Sequence, residues 1–490
     1  MTVSSKRAEA KPITFLDLFA GCGGLSLGFE QAGLSMVAAL ERSPMAAETH
    51  FRNFHLRGQE WDPVQWNRIY ESYEVRDFAS MLQSGTIIGD VWDVLNDSQV
   101  MTKLKKIRPD VIAGGPPCQG FSMAGRRNPR DKRNQLPWAF LEFVEELLPR
   151  AVVIENVVGI NRAFLSKGGT VPPFEQLRRA LAKTGPGYVV QPIEVNARHF
   201  GVPQNRPRMM LLAVRADDKA QRRFKFEENN DVWTSSTSWK RLIQTGDSSE
   251  SQLLVPTVGS RIPNWNIQRE WTAQEAIIDL ATTRYRISSS SKRYELEQYG
   301  FASLMRGITR SPSEQPQNQV VRRHGEITSQ RFALYHFLSE RGLDSSVLAI
   351  PRHLKTKSEI RHEVASRWVD GIPDLPPDAE FVASSDRDFI DVIVRLATKK
   401  HTQRVVNGQL PAPTVVTLPD DYVHPQEPRI MTVRELARFQ SFPDWFEFRS
   451  KETTGSERRK VEVPQYSQVG NAVPPLMAQA IGERLLEVLS

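Results

Sequence analysis

The run Asp110-Val111-Ile112-Ala113-Gly114-Gly115-Pro116-Pro117-Cys118 constrains the fold more than any other stretch of the chain. Asp110 to Ala113 reads as a short buried strand. Two glycines and two prolines then stop the strand and force the backbone into a fixed turn. That turn presents a thiol. A thiol on a rigid turn at the end of a parallel strand is where an α/β enzyme sets a nucleophile. Most single cysteines are instead small buried apolar residues, and that reading stands beside the nucleophilic one until the rest of the chain is read.

The N-terminal part repeats the same architecture. Ile13 to Phe19 reads as the first, central strand, and Ala20-Gly21-Cys22-Gly23-Gly24 as a glycine turn. A helix follows with Leu25, Leu27 and Phe29 on an apolar face and Gly33 as its stop. Strand, glycine turn and helix form the first unit of a doubly wound, nucleotide-type sheet. Glycines let the backbone approach a ligand, and the helix N-terminus offers free N–H groups; a tight structural turn is the alternative. Met36 to Leu40 reads as the second strand, with Glu41 at its end, placed to accept from ribose hydroxyls. The spacing Gly-x-Gly-Gly is not the dinucleotide pattern, which argues against a nicotinamide enzyme and for another adenosine-containing ligand. A third strand is expected to end at Gly89-Asp90-Val91. Asp90 then either accepts from an adenine amino group or caps a helix. Residues 45–88 read as helices and a long excursion without a function of their own.

After the Cys118 turn comes a cationic run, Arg126 to Arg133, suited to a solvated loop or to phosphate contacts. A helix with an apolar stripe is expected over Trp138–Leu148. Ala151-Val152-Val153-Ile154 reads as a buried strand ending in Glu155-Asn156-Val157. Strand ends on this edge of a doubly wound sheet converge on the ligand crevice, so Cys118 and Glu155 are expected as neighbours. A carboxylate there is costly to bury charged, so its pKa is expected to rise, which suits a proton donor; a capping or salt-bridging role is the alternative. Tyr188–Asn196 and Met209–Val214 read as two more strands. Arg206 and Arg208 between them share one side of an extended segment, suited to phosphate binding, to orienting the glutamate, or to surface salt bridges.

Composition narrows the classes. A chain of 490 residues with 40% hydrophobic and 25% charged residues suits more than one globular domain. The net charge of +7 suits a polyanionic partner. The two cysteines, Cys22 and Cys118, are not at metal-ligand spacing and imply no disulfide framework. No metal site, signal peptide, membrane span or internal repeat is expected.

Taken together these runs resemble the DNA cytosine-5 methyltransferase family. The matching stretches are Phe19-Ala20-Gly21-Cys22-Gly23-Gly24, Gly115 to Ser122, Glu155-Asn156-Val157, Gln204 to Arg208, Arg434 to Pro443, and Gly470-Asn471-Ala472-Val473-Pro474-Pro475, in family order. The resemblance implies an α/β chain: a doubly wound, Rossmann-like S-adenosylmethionine-dependent methyltransferase sheet with a second, smaller, irregular target-recognition domain. It implies a flexible tail over 1–11, a catalytic and cofactor-binding domain over 12–215 plus 465–490, and a target-recognition domain over 216–464.

By the same resemblance Cys118 is the nucleophile toward carbon 6 of a flipped-out cytosine, Glu155 the N3 proton donor, and Arg206 the helper near the pyrimidine oxygen. S-adenosyl-L-methionine is the implied cofactor. Phe19, Gly21, Gly23, Gly24, Leu25, Glu41, Arg42, Asp90, Val91, Leu136, Asn471 and Val473 are the implied cofactor-binding residues. Arg42 stands where some family members carry an aromatic residue. Double-stranded DNA is the implied partner, with a cognate restriction endonuclease acting separately, a monomeric state and a prokaryotic cytoplasmic location. An RNA-modifying relative and a non-catalytic nucleic-acid binder are the other classes; the long segment 216–400 argues against the first, and Cys118, Glu155 and Arg206 together argue against the second. That segment offers Arg322, Arg323, Lys399, Lys400 and Arg404 as DNA-facing cations and serine-rich runs at 248–251 and 288–291. Leu410–Thr417 reads as a strand, Met431–Gln440 as a helix capped by Thr432 with Glu435 three residues on, and Pro475–Leu489 as a closing helix.

Overall fold

A computed structural model describes residues 11–117, 135–161, 172–223, 232–237, 270–280, 300–307, 315–351, 353–367, 373–455, 458 and 461–490. Cys118, the cationic run 126–133 and both serine-rich runs lie outside the described residues. The chain forms two compact units. One comprises Met1–Glu270, Gln440–Phe442 and Phe446–Ser490; the other comprises Trp271–Phe439 and Pro443–Trp445.

The first unit is built on one sheet of eight strands. They are β1 Thr14–Leu18, β2 Ser35–Glu41, β3 Thr86–Ile88, β4 Val111–Gly114, β5 Ala151–Val157, β6 Tyr188–Asn196, β7 Pro207–Arg215 and β8 Trp233–Thr234. Their spatial order is β3-β2-β1-β4-β5-β7-β6-β8. β1 pairs in parallel with β2 and β4, β2 with β3, and β4 with β5, whereas β7 runs antiparallel between β5 and β6. Val111, Ile112, Ala113, Val152 and Val153 are fully buried, as expected of parallel strands covered on both faces. Strand order reverses between β1 and β4, which is where an open α/β sheet leaves its ligand crevice. Gly114 closes that junction: a Cβ there would lie 2.0 Å from the Leu18 carbonyl oxygen.

Both ends of the chain build this unit. The first helix, Gly24–Ala32, packs against the last, Pro475–Leu489. A Cβ on Gly28 would sit 2.4 Å from the Pro475 carbonyl oxygen, and one on Gly482 would sit 2.8 Å from Ala32 Cβ. The small residues therefore set the interhelical distance.

Three elements differ from the sequence expectation. The third strand stops at Ile88, and Val91 opens a helix, Val91–Leu95, because Asp90 Oδ1 accepts from the Trp92 backbone N–H. The strand expected over Met209–Val214 is longer, Pro207–Arg215, because its antiparallel ladder with β5 continues to the pair Val157 and Arg208. Leu410–Thr417 is not a strand but irregular chain. Pro411 and Pro413 supply no N–H to a ladder there.

The second unit has its own apolar core, in which Phe332, Tyr335 and Leu338 of the helix Glu326–Glu340 meet Phe389, Ile393 and Leu396 of the helix Phe389–Leu396. The helix expected over Met431–Gln440 spans Val433–Phe439. Its start is a capping box: Thr432 Oγ1 accepts from the Glu435 N–H at 3.1 Å, and Glu435 Oε2 accepts from the Thr432 N–H at 2.8 Å. The same helix carries fully buried charges. Arg438 donates to Asp444 at 2.6 Å and 2.8 Å and to Asp279 at 3.1 Å, while Glu435 accepts from Arg429 at 2.7 Å and 2.8 Å. Arg429 holds the Glu435 carboxyl down at about 2, against the burial that raises it. Lys400 of this unit pairs with Asp420 at 2.6 Å, and Arg404 lies over the Tyr422 ring.

Among the described residues no helix is long and apolar enough to cross a membrane, and no group of His, Cys, Asp and Glu is placed to hold a metal ion.

Removing Arg438 takes a charge partner from two buried carboxylates, Asp444 and Asp279, the latter keeping Arg306 at 3.5 Å. Arg438→Met is expected to destabilise the second unit by about 3–5 kcal/mol, read as an earlier denaturant midpoint. A cost near zero would show that Asp279 and Asp444 reach water.

Candidate active site at the carboxyl ends of the strands

β4 ends in the turn Gly115-Pro116-Pro117, and its neighbour β5 carries Glu155 and Asn156 beside that turn. A Cβ on Gly115 would lie 2.9 Å from Glu155 Oε2, so the glycine makes room for the carboxylate against the backbone. The Asn156 amide donates to the Pro116 carbonyl at 2.9 Å and ties the turn to β5. The turn leads directly into Cys118, which lies outside the described residues. Glu155 is largely buried, with Arg208 Nε 2.7 Å from its Oε1. Arg208 faces Val157 in the antiparallel ladder and reaches the acid from the adjacent strand.

Arg206 points elsewhere. It is 2% exposed, and its Nη2 donates at 3.0 Å to the Gly470 carbonyl and at 3.0 Å to the Ala472 carbonyl. Burial pushes its guanidinium well below the usual range, with the Arg208 charge acting the same way and Glu155 opposing. Of the two spaced arginines, Arg208 is thus the one that holds the acid.

The glycine turn after β1 forms the other half of the crevice. Phe19 stands at φ 61°, half-buried against the core, and Gly21 at φ 57°. Among the described residues nothing lies within 4 Å of a Cβ built on Gly21, so its backbone faces open space there. Gly23 and Gly24 are crowded instead, the first by Phe54 at 2.4 Å and the second by the Val473 carbonyl oxygen at 2.2 Å. Leu25 is buried behind them. At the end of β2, Glu41 accepts from the Gly21 N–H at 2.9 Å and from the Ser43 N–H at 2.7 Å. Burial pushes its carboxyl up, and those backbone N–H groups oppose the shift. Each carboxylate oxygen keeps a further lone pair, so Glu41 can shape the turn and still accept from a ligand hydroxyl.

The remaining residues line up unevenly. Asp90 caps its helix through Oδ1, and Oδ2 lies 3.8 Å from Arg42, whose side chain is 77% exposed. Val91 is buried, and Leu136, which opens the helix Leu136–Leu147, is half-buried against the core. Asn471 ends the helix Gln465–Asn471 with an exposed side chain, while Val473 is buried against Gly24. Cys22 is a buried thiol whose Sγ faces the Gln468 carbonyl at 3.6 Å, and burial pushes its pKa up, so it is inert.

Several contributors were not identified in the sequence. Thr49 Oγ1 donates to Gln468 Oε1 at 2.7 Å, Asn53 donates to the Glu447 carbonyl at 2.8 Å, and Arg449 stacks 4.3 Å above Trp61. The 45–88 stretch thereby clasps the C-terminal segment that carries Asn471 and Val473. Asp17 on β1 is buried and accepts from Ser26 of the first helix, fixing that helix to the strand. The signal for Arg208 was available as the two-residue period of a strand; the clasp joins residues some 400 apart, such as Thr49 and Arg449, and leaves no local pattern.

A family model described as C-5 cytosine-specific DNA methylase matches residues 13–487. The type II methyltransferase M.DdeI of Desulfomicrobium norvegicum is 29% identical over 96% of this chain and 88% of its own length. M.XorII of Xanthomonas oryzae pv. oryzae is 27% identical over 97% of this chain and 84% of its own. M.AgeI of Thalassovita gelatinovora is 28% identical over 97% and 99%.

Burial pushes the Asp17 carboxyl from 3.8 up to about 7, opposed by the Ser26 hydroxyl. Its contribution to stability is fully present below pH 3.8 and is lost as pH rises through about 7. Relative to Asp17→Asn, which keeps an acceptor for Ser26, the unsubstituted chain is expected to lose on the order of a few kcal/mol between those limits. Denaturant titrations at several pH values check this. Parallel stability curves would mean that Asp17 stays hydrated.

Proposed function

Because the chain belongs to the C-5 cytosine-specific DNA methylases, and is thus a DNA cytosine-5 methyltransferase, we propose that it recognises one short double-stranded sequence, with Cys118 as nucleophile and Glu155 as the acid. The observation that carries this assignment is Glu155 itself. It is a buried carboxylate on β5, held by Arg208 and set against the turn that leads into Cys118.

Carbon 5 of cytosine is a poor nucleophile. The thiolate of Cys118 adds to carbon 6, forming an S–C6 bond and shifting the C5–C6 electron pair into the ring. Glu155 delivers a proton to N3 as charge develops there, and Arg208 stabilises the carboxylate that results. Carbon 5 is then electron-rich. A free thiol ionises near 8.5, so proton loss coupled to attack completes the activation of Cys118. After methylation, a base removes the C5 proton, the S–C6 bond breaks, and Glu155 regains its proton from N3. A stacked base cannot reach such a site, so the nucleotide is flipped out at a cost of roughly a few kcal/mol.

Phe19, Gly21, Glu41, Asp90, Val91, Leu136, Asn471 and Val473 would hold S-adenosylmethionine. The open space at Gly21 and the spare acceptor capacity of Glu41 fit an adenosine-bearing ligand. When bound, that group supplies the methyl as a sulfonium electrophile. The type II names of the relatives support a restriction–modification role, with an endonuclease of the same specificity acting separately.

The test is bisulfite sequencing of plasmid DNA from cells expressing the chain, beside a Cys118→Ala control. Protected cytosines confined to one short motif, and lost in the control, are expected. Full methylation by Cys118→Ala would sink the covalent mechanism. Methylation without a common motif would sink the sequence-specific reading.

A further inference from the structure

We propose that Arg206 is a positioning residue for the cofactor side of the site: it caps the C-terminal segment that presents Asn471 and Val473. The inference rests on the reading that the first unit binds S-adenosylmethionine.

The last carbonyls of any helix lack intrahelical donors. In the helix Gln465–Asn471 they are met by side chains from two directions. Arg206 donates to Gly470 and Ala472 at 3.0 Å each. Gln440 Nε2 donates to the Val469 carbonyl at 2.7 Å and is itself oriented by Gln204, whose amide reaches its Oε1 at 2.8 Å. A guanidinium at a helix C-terminus also meets the negative end of the helix dipole. Asn471 therefore stands between tethered neighbours, with its own side chain turned outward.

Position matters because this segment has no slack. The Val473 carbonyl already approaches to 2.2 Å of the place where a Cβ on Gly24 would be. A small shift of the segment would press on the glycine turn or open a gap beside it. Arg206 is also fixed by its backbone: its N–H donates to Asn196 Oδ1 at 3.1 Å, and its carbonyl accepts from the Ala197 N–H at 3.1 Å. Pro207 then locks the next φ, and Arg208 reaches Glu155. Three consecutive residues thus set the cofactor segment with one arginine and the acid with the other.

The two arginines should separate in binding and turnover. S-adenosylmethionine is titrated calorimetrically into the full chain without DNA, and initial rates are measured with DNA. Arg206→Met is expected to weaken cofactor binding about tenfold or more, since charged hydrogen bonds to buried carbonyls are lost. Its KM for cofactor should rise in step, with kcat at saturation much less affected. Arg206→Lys should recover part of the affinity. Arg208→Met should bind cofactor within about twofold of the parent and lose kcat, because it acts on the acid. Should Arg206→Met fail to fold by thermal melting, Gln440→Met tests the same segment and is expected to show the same loss of affinity. Parental cofactor affinity in Arg206→Met, or in Gln440→Met where that variant is the one measured, would overturn the proposal. So would a fall in kcat with unchanged affinity, which would place Arg206 at the pyrimidine. A parent chain that bound no S-adenosylmethionine would instead bring down the reading of the site on which the proposal rests.

Discussion

Close backbone contact between the first helix and the segment from Val473 onward is the constraint on which the first unit depends. Gly24 and Gly28 let the segment from Val473 to Gln479 approach the first helix at distances that no side chain would tolerate. Gly482 does the same from the other side. Such contacts cost backbone entropy at each glycine, and the burial of the first and last helices against each other offsets it. Val473 reaches the glycine turn through this packing.

Charge burial follows a common rule in both units. Glu155 and Arg208 are buried as a pair, and so are Arg438 with its two carboxylates and Arg429 with Glu435. Each fixed pair pins a local geometry that apolar packing would leave looser. In the first unit the pair lies beside the turn that leads into Cys118. In the second, the pairing holds the helix Val433–Phe439 to its own core. The difference is one of position: Glu155 is at the carboxyl edge of a sheet, beside a rigid turn, whereas Glu435 is enclosed on every side.

The legible parts were those with a local signature. Strands β1, β2, β5 and β6, the last helix and the Thr432–Glu435 capping box all follow from period, glycine and capping chemistry within a few residues. The place of Glu155 near the end of β5 was legible for the same reason. Its partner was only half so: the Arg-x-Arg spacing puts both side chains on one side of an extended segment, but Pro207 and the start of β7 turn Arg206 toward Gly470 and Arg208 toward Glu155. Strand ends were misplaced where a tertiary partner decided them, as at Arg208, where the ladder with β5 continues, and at Asp90, where a cap intervenes. The clasp from Thr49 and Asn53 to Gln468 and Glu447 could not be read at all, because hydrogen bonds across such separations leave no periodic trace.

The contact between chain ends also fixes an order of events during synthesis. The strands β1 to β5 and the first helix leave the ribosome long before the residues from Gln465 onward, with the whole second unit translated in between. Until the last helix emerges, the small-residue face of the first helix has no cover and the glycine turn lacks its wall. Contacts of such long sequence separation form slowly and late. A nascent or truncated chain would therefore hold a nearly complete sheet whose first helix and glycine turn lack the packing that Val473 and the helix Pro475–Leu489 supply.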